Sequence, residues 1–144
     1  MEIMTTGRVV VPASIENLQD TYDAEKGVLP LDDVRFVEVS DALVDAGATL
    51  LSIPRRLVGQ LGLKRRRTRT ARTPAGTVSF GIYEAVRLTV LGRDCIVETA
   101  EVPDECPVLI GQIPLEGLDF VVDPIGQRLI GNPEHGGEQM IDMF

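Results

Sequence analysis

The sequence predicts a single, mostly β domain, and three observations lead to that prediction. The chain has 144 residues, which is the usual size of one domain. Hydrophobic residues make up 44% of the chain, aromatics only 4%, and tryptophan is absent, so the core must be aliphatic, which suits strands. Short Val-, Leu- and Ile-rich runs recur between turns that contain Gly or Pro. We therefore expect one domain over residues 1–144, with its core at about residues 8–131 and an irregular, Gly-rich tail at 132–144.

Period-two alternation and β-branched runs predict the strands, and turn residues bound them. Residues 34–39, for example, alternate apolar and polar side chains as a half-buried strand does. Residues 16–33 interrupt this pattern with a polar, acidic excursion. The strands predicted in this way are residues 7–15, 34–39, 42–44, 50–53, 67–73, 77–83, 85–91, 94–102, 108–110, 120–122 and 128–130.

Three short helical segments are expected among these strands. Residues 18–25 form a helical turn within the excursion, and residues 114–118 form another near the end of the chain. The clearest helix runs from Pro54 to Leu61, because Pro suits a first helical turn and Gly62 suits the position after a last one.

Gly, Pro, Asp and Ser mark the connecting turns. We expect turns at Ser40-Asp41, at Thr73-Pro74-Ala75-Gly76, at Gly92-Arg93 and at residues 123–126. Gly92 stands first in a two-residue connection, which predicts a type II′ hairpin turn there.

The charge of the chain bears on its partners. The formal net charge is −8, and an acidic surface repels a phosphate backbone, so nucleic acid is not an expected partner. One basic run, residues 64–69, has two interpretations. It is either a patch that binds a charged substrate or polyanion, or a solvated strand or loop. The run lacks aromatic side chains on which bases stack, so the solvated strand is the preferred interpretation.

Further features predict a soluble, cytoplasmic protein. No stretch is long and apolar enough to span a membrane, and residues 1–6 lack the apolar segment of a signal peptide. Cys95 and Cys106 are too few for a disulfide scaffold, and we expect them to be reduced, structural thiols; the alternative is an incidental disulfide between the two.

The candidate chemistry lies in residues 43–49, which read Leu-Val-Asp-Ala-Gly-Ala-Thr. Asp45 follows a short apolar run and is followed by a tight loop. Gly47 gives this loop conformational freedom, while the small Ala46 and Ala48 allow other atoms to approach closely. Thr49 is placed to close the loop through a hydrogen bond from its side chain to the backbone.

This order of elements resembles that of the retroviral aspartic proteases, in particular bacterial single-domain proteins of that type. Residues 43–49 resemble their active-site loop, the turn at Pro74, Ala75 and Gly76 falls where their substrate-covering flap has its tip, and Leu109-Ile110-Gly111 resembles the later strand that crosses the active-loop strands. The likeness runs from about residue 9 to residue 130. It implies a closed β-barrel with one short helix and a flap hairpin.

The resemblance implies an aspartic endopeptidase that needs no cofactor and no metal. Its chemistry requires two carboxylates, whereas this chain has one such loop and no room for a second lobe. The expected solution is a homodimer in which Asp45 of each chain meets at the two-fold axis, with an extended peptide or protein as substrate. Leu109, Ile110 and Gly111 would support the active site, and Pro74, Ala75 and Gly76 would cover the substrate.

Ala46 departs from the family pattern, which has Thr or Ser at this position. In the family, that hydroxyl hydrogen-bonds across the dimer axis, and its loss costs roughly 1 kcal/mol when no buried partner is orphaned. A looser dimer or lower activity is therefore expected. The alternative to an active enzyme is a weakly active or inactive dimer that binds peptides or serves as a scaffold.

Other reactive residues fit no stronger chemistry. His135 stands between Glu134 and Glu138 in a Gly-rich tail, where a solvent-exposed His is the preferred interpretation over a metal ligand. Ser52 lacks the Gly-x-Ser-x-Gly pattern of a serine hydrolase. The cysteines have no thiol-protease context.

Overall fold

The computed structural model describes residues 8–143 and shows a mostly β domain, with 49% strand and 20% helix. Residues 1–7 and Phe144 lie outside the described residues. The expectation that residues 1–6 lack the apolar segment of a signal peptide concerns residues in that part. The strands are β1 (Val9–Asn17), β2 (Phe36–Val44), β3 (Leu51–Pro54), β4 (Arg65–Thr73), β5 (Gly76–Val90), β6 (Arg93–Val102), β7 (Leu109–Ile110), β8 (Phe120–Asp123) and β9 (Arg128–Gly131). The α-helices are α1 (Leu18–Glu25), α2 (Arg55–Gln60) and α3 (Gln112–Leu118).

Seven strands form one sheet in the order β1-β2-β7-β3-β6-β5-β4, and β8 and β9 form a separate hairpin. Strand β1, the first in this order, pairs with its neighbour β2 and also with β5, the sixth strand in the order. Most neighbours are antiparallel. The exceptions involve the centre of the sheet, where β7 runs parallel to β2 and β3 runs parallel to β6.

The core is aliphatic, as the composition predicts. Strands β1, β3 and β5 place alternate side chains inside, and α2 and α3 cover the remaining apolar surface. The side chains with almost no exposed surface include Ile15, Leu51, Ile53, Leu61, Ile82, Leu88, Ile110 and Leu118.

The acidic excursion folds onto this core through two polar contacts. Asn17 caps α1 by accepting a hydrogen bond from the backbone N–H of Asp20, and its side chain donates to the carbonyl of Leu61 at 2.7 Å. Asp20 accepts two bonds from the Arg35 guanidinium, at 2.8 and 3.0 Å. The predicted helix at residues 18–25 is confirmed with those bounds.

The predicted turn at Ser40-Asp41 is wrong, because both residues lie inside the continuous strand β2. Val11 of β1 pairs with Ala42, and Ala13 pairs with Val39, so two residues of β2 stand opposite the single residue Pro12. This is a β-bulge, and it occurs where Pro12 has no N–H to offer the ladder.

The predicted turn at Gly92-Arg93 is shifted by one residue. Val90 pairs with Arg93, so the two central residues are Leu91 and Gly92, and both have positive φ, at 50° and 81°. Positive φ at both positions is a type I′ turn rather than the expected type II′ turn. The two strands predicted at 77–83 and 85–91 are one strand, β5, with an irregular register between Tyr83 and Val86.

Candidate active site

The Asp45 loop connects the end of β2 to the start of β3, next to β7. The Asp45 backbone N–H donates to the carbonyl of Ile110 at 2.9 Å, and the Asp45 carbonyl accepts from Ala48 at 3.0 Å. The Asp45 carboxylate accepts the N–H of Gly47 at 2.9 Å. One oxygen of the carboxylate is thereby held by the backbone of its own loop.

Gly47 occupies a position where a larger residue would press on that carboxylate. A Cβ atom at Gly47 would lie 3.2 Å from Oδ1 of Asp45, which is closer than most Cβ contacts. The glycine therefore leaves room for this hydrogen bond between its own N–H and the carboxylate. Asp45 itself is half-buried, whereas Ala46 and Gly47 are exposed, so solvent reaches the loop.

Strand β7 lies between the two strands that flank the loop. Leu43 pairs with Leu109 in parallel, and Leu51 pairs with Ile110 in antiparallel register. Ile110 is fully buried, so the predicted support residues lie directly against both ends of the loop.

Gly111 brings the chain closest to the loop. Its N–H donates to the carbonyl of Leu50 at 3.0 Å, and Gln112 N–H donates to the carbonyl of Ala48 at 2.8 Å. A Cβ atom at Gly111 would lie 2.5 Å from the Leu50 oxygen and 2.7 Å from the Ala48 oxygen, separations that real Cβ atoms essentially never show. Only glycine fits between these two carbonyls without movement of the backbone.

The closing role expected for the Thr49 side chain is not seen. Within the described residues, the Thr49 hydroxyl makes no hydrogen bond, and it is the Thr49 carbonyl that accepts, from Ile113 at 3.0 Å. The start of α3 therefore closes the loop, through main-chain donors.

The hairpin of β4 and β5 turns where the sequence predicts. Thr73 pairs with Gly76, and Pro74 and Ala75 form an exposed two-residue tip. The Thr73 hydroxyl donates to the carbonyl of Gly76 at 2.7 Å, and Gly76 has a φ of 120°. No hydrogen bond joins this tip to the Asp45 loop among residues 8–143.

A cleft of about 450 Å³ lies beside this hairpin, and we call it the hairpin cleft. One wall comes from the hairpin and the other from the elements that follow the Asp45 loop. Glu101 lies at its edge, where it accepts a hydrogen bond from the Tyr83 hydroxyl at 3.0 Å and ion-pairs with Arg55 at 3.5 Å. The lining residues are Ser52, Arg55, Ala71, Val78, Ser79, Phe80, Ala100, Glu101, Val102 and Pro103.

A second groove, of about 520 Å³, adjoins the Asp45 loop at Ala46. Helix α3, strand β8 and the C-terminal tail form the rest of its lining. Val122, Met140 and Ile141 line it and are 38%, 48% and 74% exposed. We call this surface the tail groove, and it places exposed apolar side chains next to the loop.

The prediction of an exposed His135 is wrong, because its side chain is only 15% exposed. Nδ1 of His135 lies 2.6 Å from Oδ2 of Asp119, and Nε2 lies 3.4 Å from Asp142. The bond to His135 lowers the pKa of Asp119, and the same bond raises the pKa of His135, with a further contribution from Asp142. The pair therefore favours its charged form.

Asp119 is the centre of the contacts that hold the tail. It is buried, has a left-handed backbone with φ of 59°, and also accepts the Met140 N–H at 3.0 Å. Arg93 stacks over Phe120 at 4.5 Å and donates to the carbonyls of Asp119 and Gly137. Sequence reasoning missed this network, since no motif links residues so far apart; the only local signal is the pair of glycines beside His135.

The cysteines are both free and partly buried. Burial raises the pKa of the Cys95 thiol to about 11, with a smaller contribution from Asp94, so this thiol is protonated at neutral pH and is a poor nucleophile. Within residues 8–143, no three His, Cys, Asp or Glu side chains gather in an arrangement that could hold a metal ion. No helix of that part of the chain is long and apolar enough to cross a membrane.

In comparisons with models of known protein families and with curated proteins, the sequence matches none.

Proposed function

We propose that this chain is an aspartic endopeptidase of the retroviral type that acts as a homodimer. The observation that carries the proposal is the placement of β7 between β2 and β3, which holds the loop of the half-buried Asp45 between its crossing strands. The resemblance of residues 43–49 and of Leu109-Ile110-Gly111 to the family's motifs leads to the expectation of this crossing.

The strand pairing supports the closed barrel that the resemblance implies. Strand β1 pairs with β2 through seven residue pairs and with β5 through four. A strand that bonds to both of these neighbours gives the order β1-β2-β7-β3-β6-β5 a return connection to β1. The hairpin of β4 and β5 then extends beyond this ring, as a flap does.

The proposed mechanism uses one Asp45 carboxylate from each protomer. Two carboxylates in contact share one proton, because both cannot ionise comfortably side by side. The ionised carboxylate removes a proton from water, whose oxygen attacks the scissile carbonyl carbon, while the protonated carboxylate donates its proton to the carbonyl oxygen. Collapse of the tetrahedral intermediate breaks the C–N bond. The carboxyl group that took the proton from water gives it to the leaving amine, and a hydroxyl of the intermediate returns a proton to the other carboxylate, which restores the pair with one shared proton.

The tail groove is the surface at which we place the second copy. It begins at Ala46, beside the carboxylate that must reach the axis, and it exposes Val122, Met140 and Ile141. Burying such side chains gives a dimer its hydrophobic contribution, at about 25 cal/mol per Å². Changing Ile141 to Asp should shift the mass measured by light scattering toward that of the monomer. An unchanged mass would mean that the dimer interface lies at another surface.

Ala46 favours a second candidate function, a weakly active or inactive dimer that binds peptides. Its side chain is exposed at the loop and has no hydroxyl to bond across an axis. The two free thiols support the expectation of a reducing, cytoplasmic setting for either function.

The deciding experiment measures mass and cleavage on the same sample. Light scattering establishes the oligomeric state, and a casein assay from mildly acidic to neutral pH compares the wild type with Asp45→Asn. We expect a dimer that cleaves casein and a variant dimer that does not. Equal cleavage by both proteins, or a confirmed dimer that never cleaves, would remove the enzyme proposal; the latter result with retained peptide binding supports the scaffold. A monomeric mass would instead indicate a regulatory β-domain.

A further inference from the structure

The hairpin of β4 and β5 separates positive from negative charge in this chain. Residues 64–83 contain six of the 14 Lys and Arg residues and no Asp or Glu. The segment therefore carries a charge of +6, and because the whole chain carries −8, the remainder carries −14. A local positive field of this kind acts over about one Debye length, roughly 8 Å at physiological salt, so the acidic body does not cancel it at contact range.

Two of the hairpin arginines already have partners, and a third lies near a carboxylate. Arg67 forms a bidentate pair with Glu98, at 2.7 and 3.1 Å. Arg65 lies over the Tyr83 ring at 6.0 Å, and Arg66 shares a groove with Glu98. The Arg67–Glu98 pair joins the base of the hairpin to β6, whereas the Arg65–Tyr83 contact lies within the hairpin.

Arg69 and Arg72 are exposed cations of the outer half of this hairpin. In the described part of the chain, no acidic side chain lies within ion-pair distance of either one. The bond from Arg67 is the main cause that lowers the pKa of Glu98, and the charge of Arg69 adds a smaller contribution. Both oxygens of Glu98 are bound by Arg67, so the Arg69 guanidinium remains free to pair with a ligand.

The pairing register assigns these two arginines to opposite faces of the hairpin. Arg69 pairs with Phe80 and Ala71 pairs with Val78, and cross-strand partners project to the same side. Phe80, Ala71 and Val78 all line the hairpin cleft, so Arg69 projects from the same side as these three residues, next to the lining rather than within it. Arg72 is three residues from Arg69, and alternation puts it on the other side.

We infer that Arg69 selects an acidic side chain in an extended peptide bound in the hairpin cleft, which makes it a specificity-determining residue; this rests on the proposed peptide-binding function. The cleft supplies apolar contacts for neighbouring side chains through Val78 and Phe80. The acidic residue of the cleft, Glu101, is already engaged by Arg55 and by the Tyr83 hydroxyl, so it does not compete for Arg69.

A peptide fits this site better than a nucleic acid does. The lining of the cleft is mainly aliphatic and includes one aromatic residue, Phe80, whereas single-stranded nucleic acid needs successive aromatic platforms and a continuous basic track. The charge of −14 outside the hairpin would also repel a long phosphate backbone.

The experiment selects ligands from a bead-bound library of randomised octapeptides. The selecting protein is the full chain with Asp45→Asn, so that bound peptides are not cleaved. It is compared with the same protein carrying Arg69→Gln, and with one carrying Arg72→Gln as the matched control that removes the same charge from the opposite face. The peptides on beads that bind the protein are sequenced. The frequency of Asp and Glu at each position is then compared with their frequency in the input library.

We expect Asp and Glu to be enriched about two- to fivefold at one position, as a partly exposed ion pair allows. The enrichment should vanish with Arg69→Gln, persist with Arg72→Gln, and weaken as salt is added. Protein binding to the library beads no higher than to beads without peptide, enrichment without acidic residues, or equal effects of the two variants would overturn the inference. So would an Arg69-dependent affinity for single-stranded DNA equal to that for the peptides.

The endopeptidase proposal is tested separately by cleavage of the same library with the wild-type chain. Enrichment of acidic residues without cleavage would contradict the endopeptidase proposal and support the specificity of Arg69. Cleavage without a preference for acidic residues would support the endopeptidase proposal and contradict the specificity of Arg69.

Discussion

Replacing Gly111 with Ala should destabilise the protein by about 2–4 kcal/mol, because the added methyl group has no room. Its Cβ would lie 2.5 Å from the Leu50 oxygen and 2.7 Å from the Ala48 oxygen. To restore even 3.0 Å, the backbone must move by about half an ångström, and overpacking of this kind costs about 1–3 kcal/mol. Both carbonyls also accept backbone hydrogen bonds across the loop, and weakening each of these two bonds adds about 0.5 kcal/mol.

Backbone conformation is not the cause of this expected loss. Gly111 has φ of −89° and ψ of −169°, which any residue adopts, so the penalty is steric. Urea denaturation should show a midpoint lowered by roughly 1–2 M with an unchanged slope. Hydrogen exchange should show faster exchange at the amides of Gln112 and Ile113, which donate to the loop.

Gly59→Ala is the matched control for this substitution. Gly59 lies in α2, and a Cβ atom there meets nothing within 4 Å. The change should stabilise the protein by about 0.5–1 kcal/mol, since Ala favours the helix and loses less chain entropy. A loss below about 1 kcal/mol in Gly111→Ala, or the same loss in both variants, would refute the argument that β7 and the loop are held at a distance only glycine permits.

Three further predictions concern the tail, the loop and the acidic excursion. Because the pKa of His135 is raised, the stability that its bond to Asp119 contributes is present below pH 6.5 and is lost as the pH rises through the raised pKa. Because the pKa of Asp119 is lowered, the same contribution is also lost at the acidic end, as the pH falls below 3.8. Melting temperatures at constant ionic strength should therefore fall above pH 6.5 in the wild type and change less in His135→Gln. In the proposed dimer, Ala46→Thr should tighten association about tenfold in dilution light scattering, from about 0.5–1 kcal/mol for each of two symmetric bonds, and should speed the proposed cleavage of casein. Asn17→Ala should cost about 2–4 kcal/mol in urea denaturation, because it removes the cap of α1 and orphans a buried carbonyl at the end of α2.

Each of these outcomes has a clear opposite. A His135→Gln protein that follows the wild-type pH profile would place the titrating group elsewhere. An unchanged dimer in Ala46→Thr would mean that residue 46 does not face a two-fold axis. Asn17→Thr keeps an oxygen that can cap α1 but lacks the amide that donates to Leu61, so it separates lost capping from the lost hydrogen bond to that carbonyl.

Most elements could be predicted because their signals are local. The helix of residues 18–25 and the hairpin tip at Pro74 and Ala75 depend on neighbours within a few positions, and both are confirmed. The errors arose where a distant strand decides the geometry. Ser40-Asp41 has the composition of a turn, but Pro12 of another strand converts it into a bulge.

The candidate site divides in the same way. The sequence by itself determined the Asp45-Ala46-Gly47 loop, its flanking apolar runs and the missing hydroxyl at residue 46, since these are properties of adjacent residues. The insertion of β7 between the strands on either side of that loop was expected only from the resemblance, and the tertiary structure gives its register. Only the tertiary structure decided that Asp119 fixes the tail through His135. These contacts join residues far apart in the chain, and strand register and packing select them, which no local pattern records.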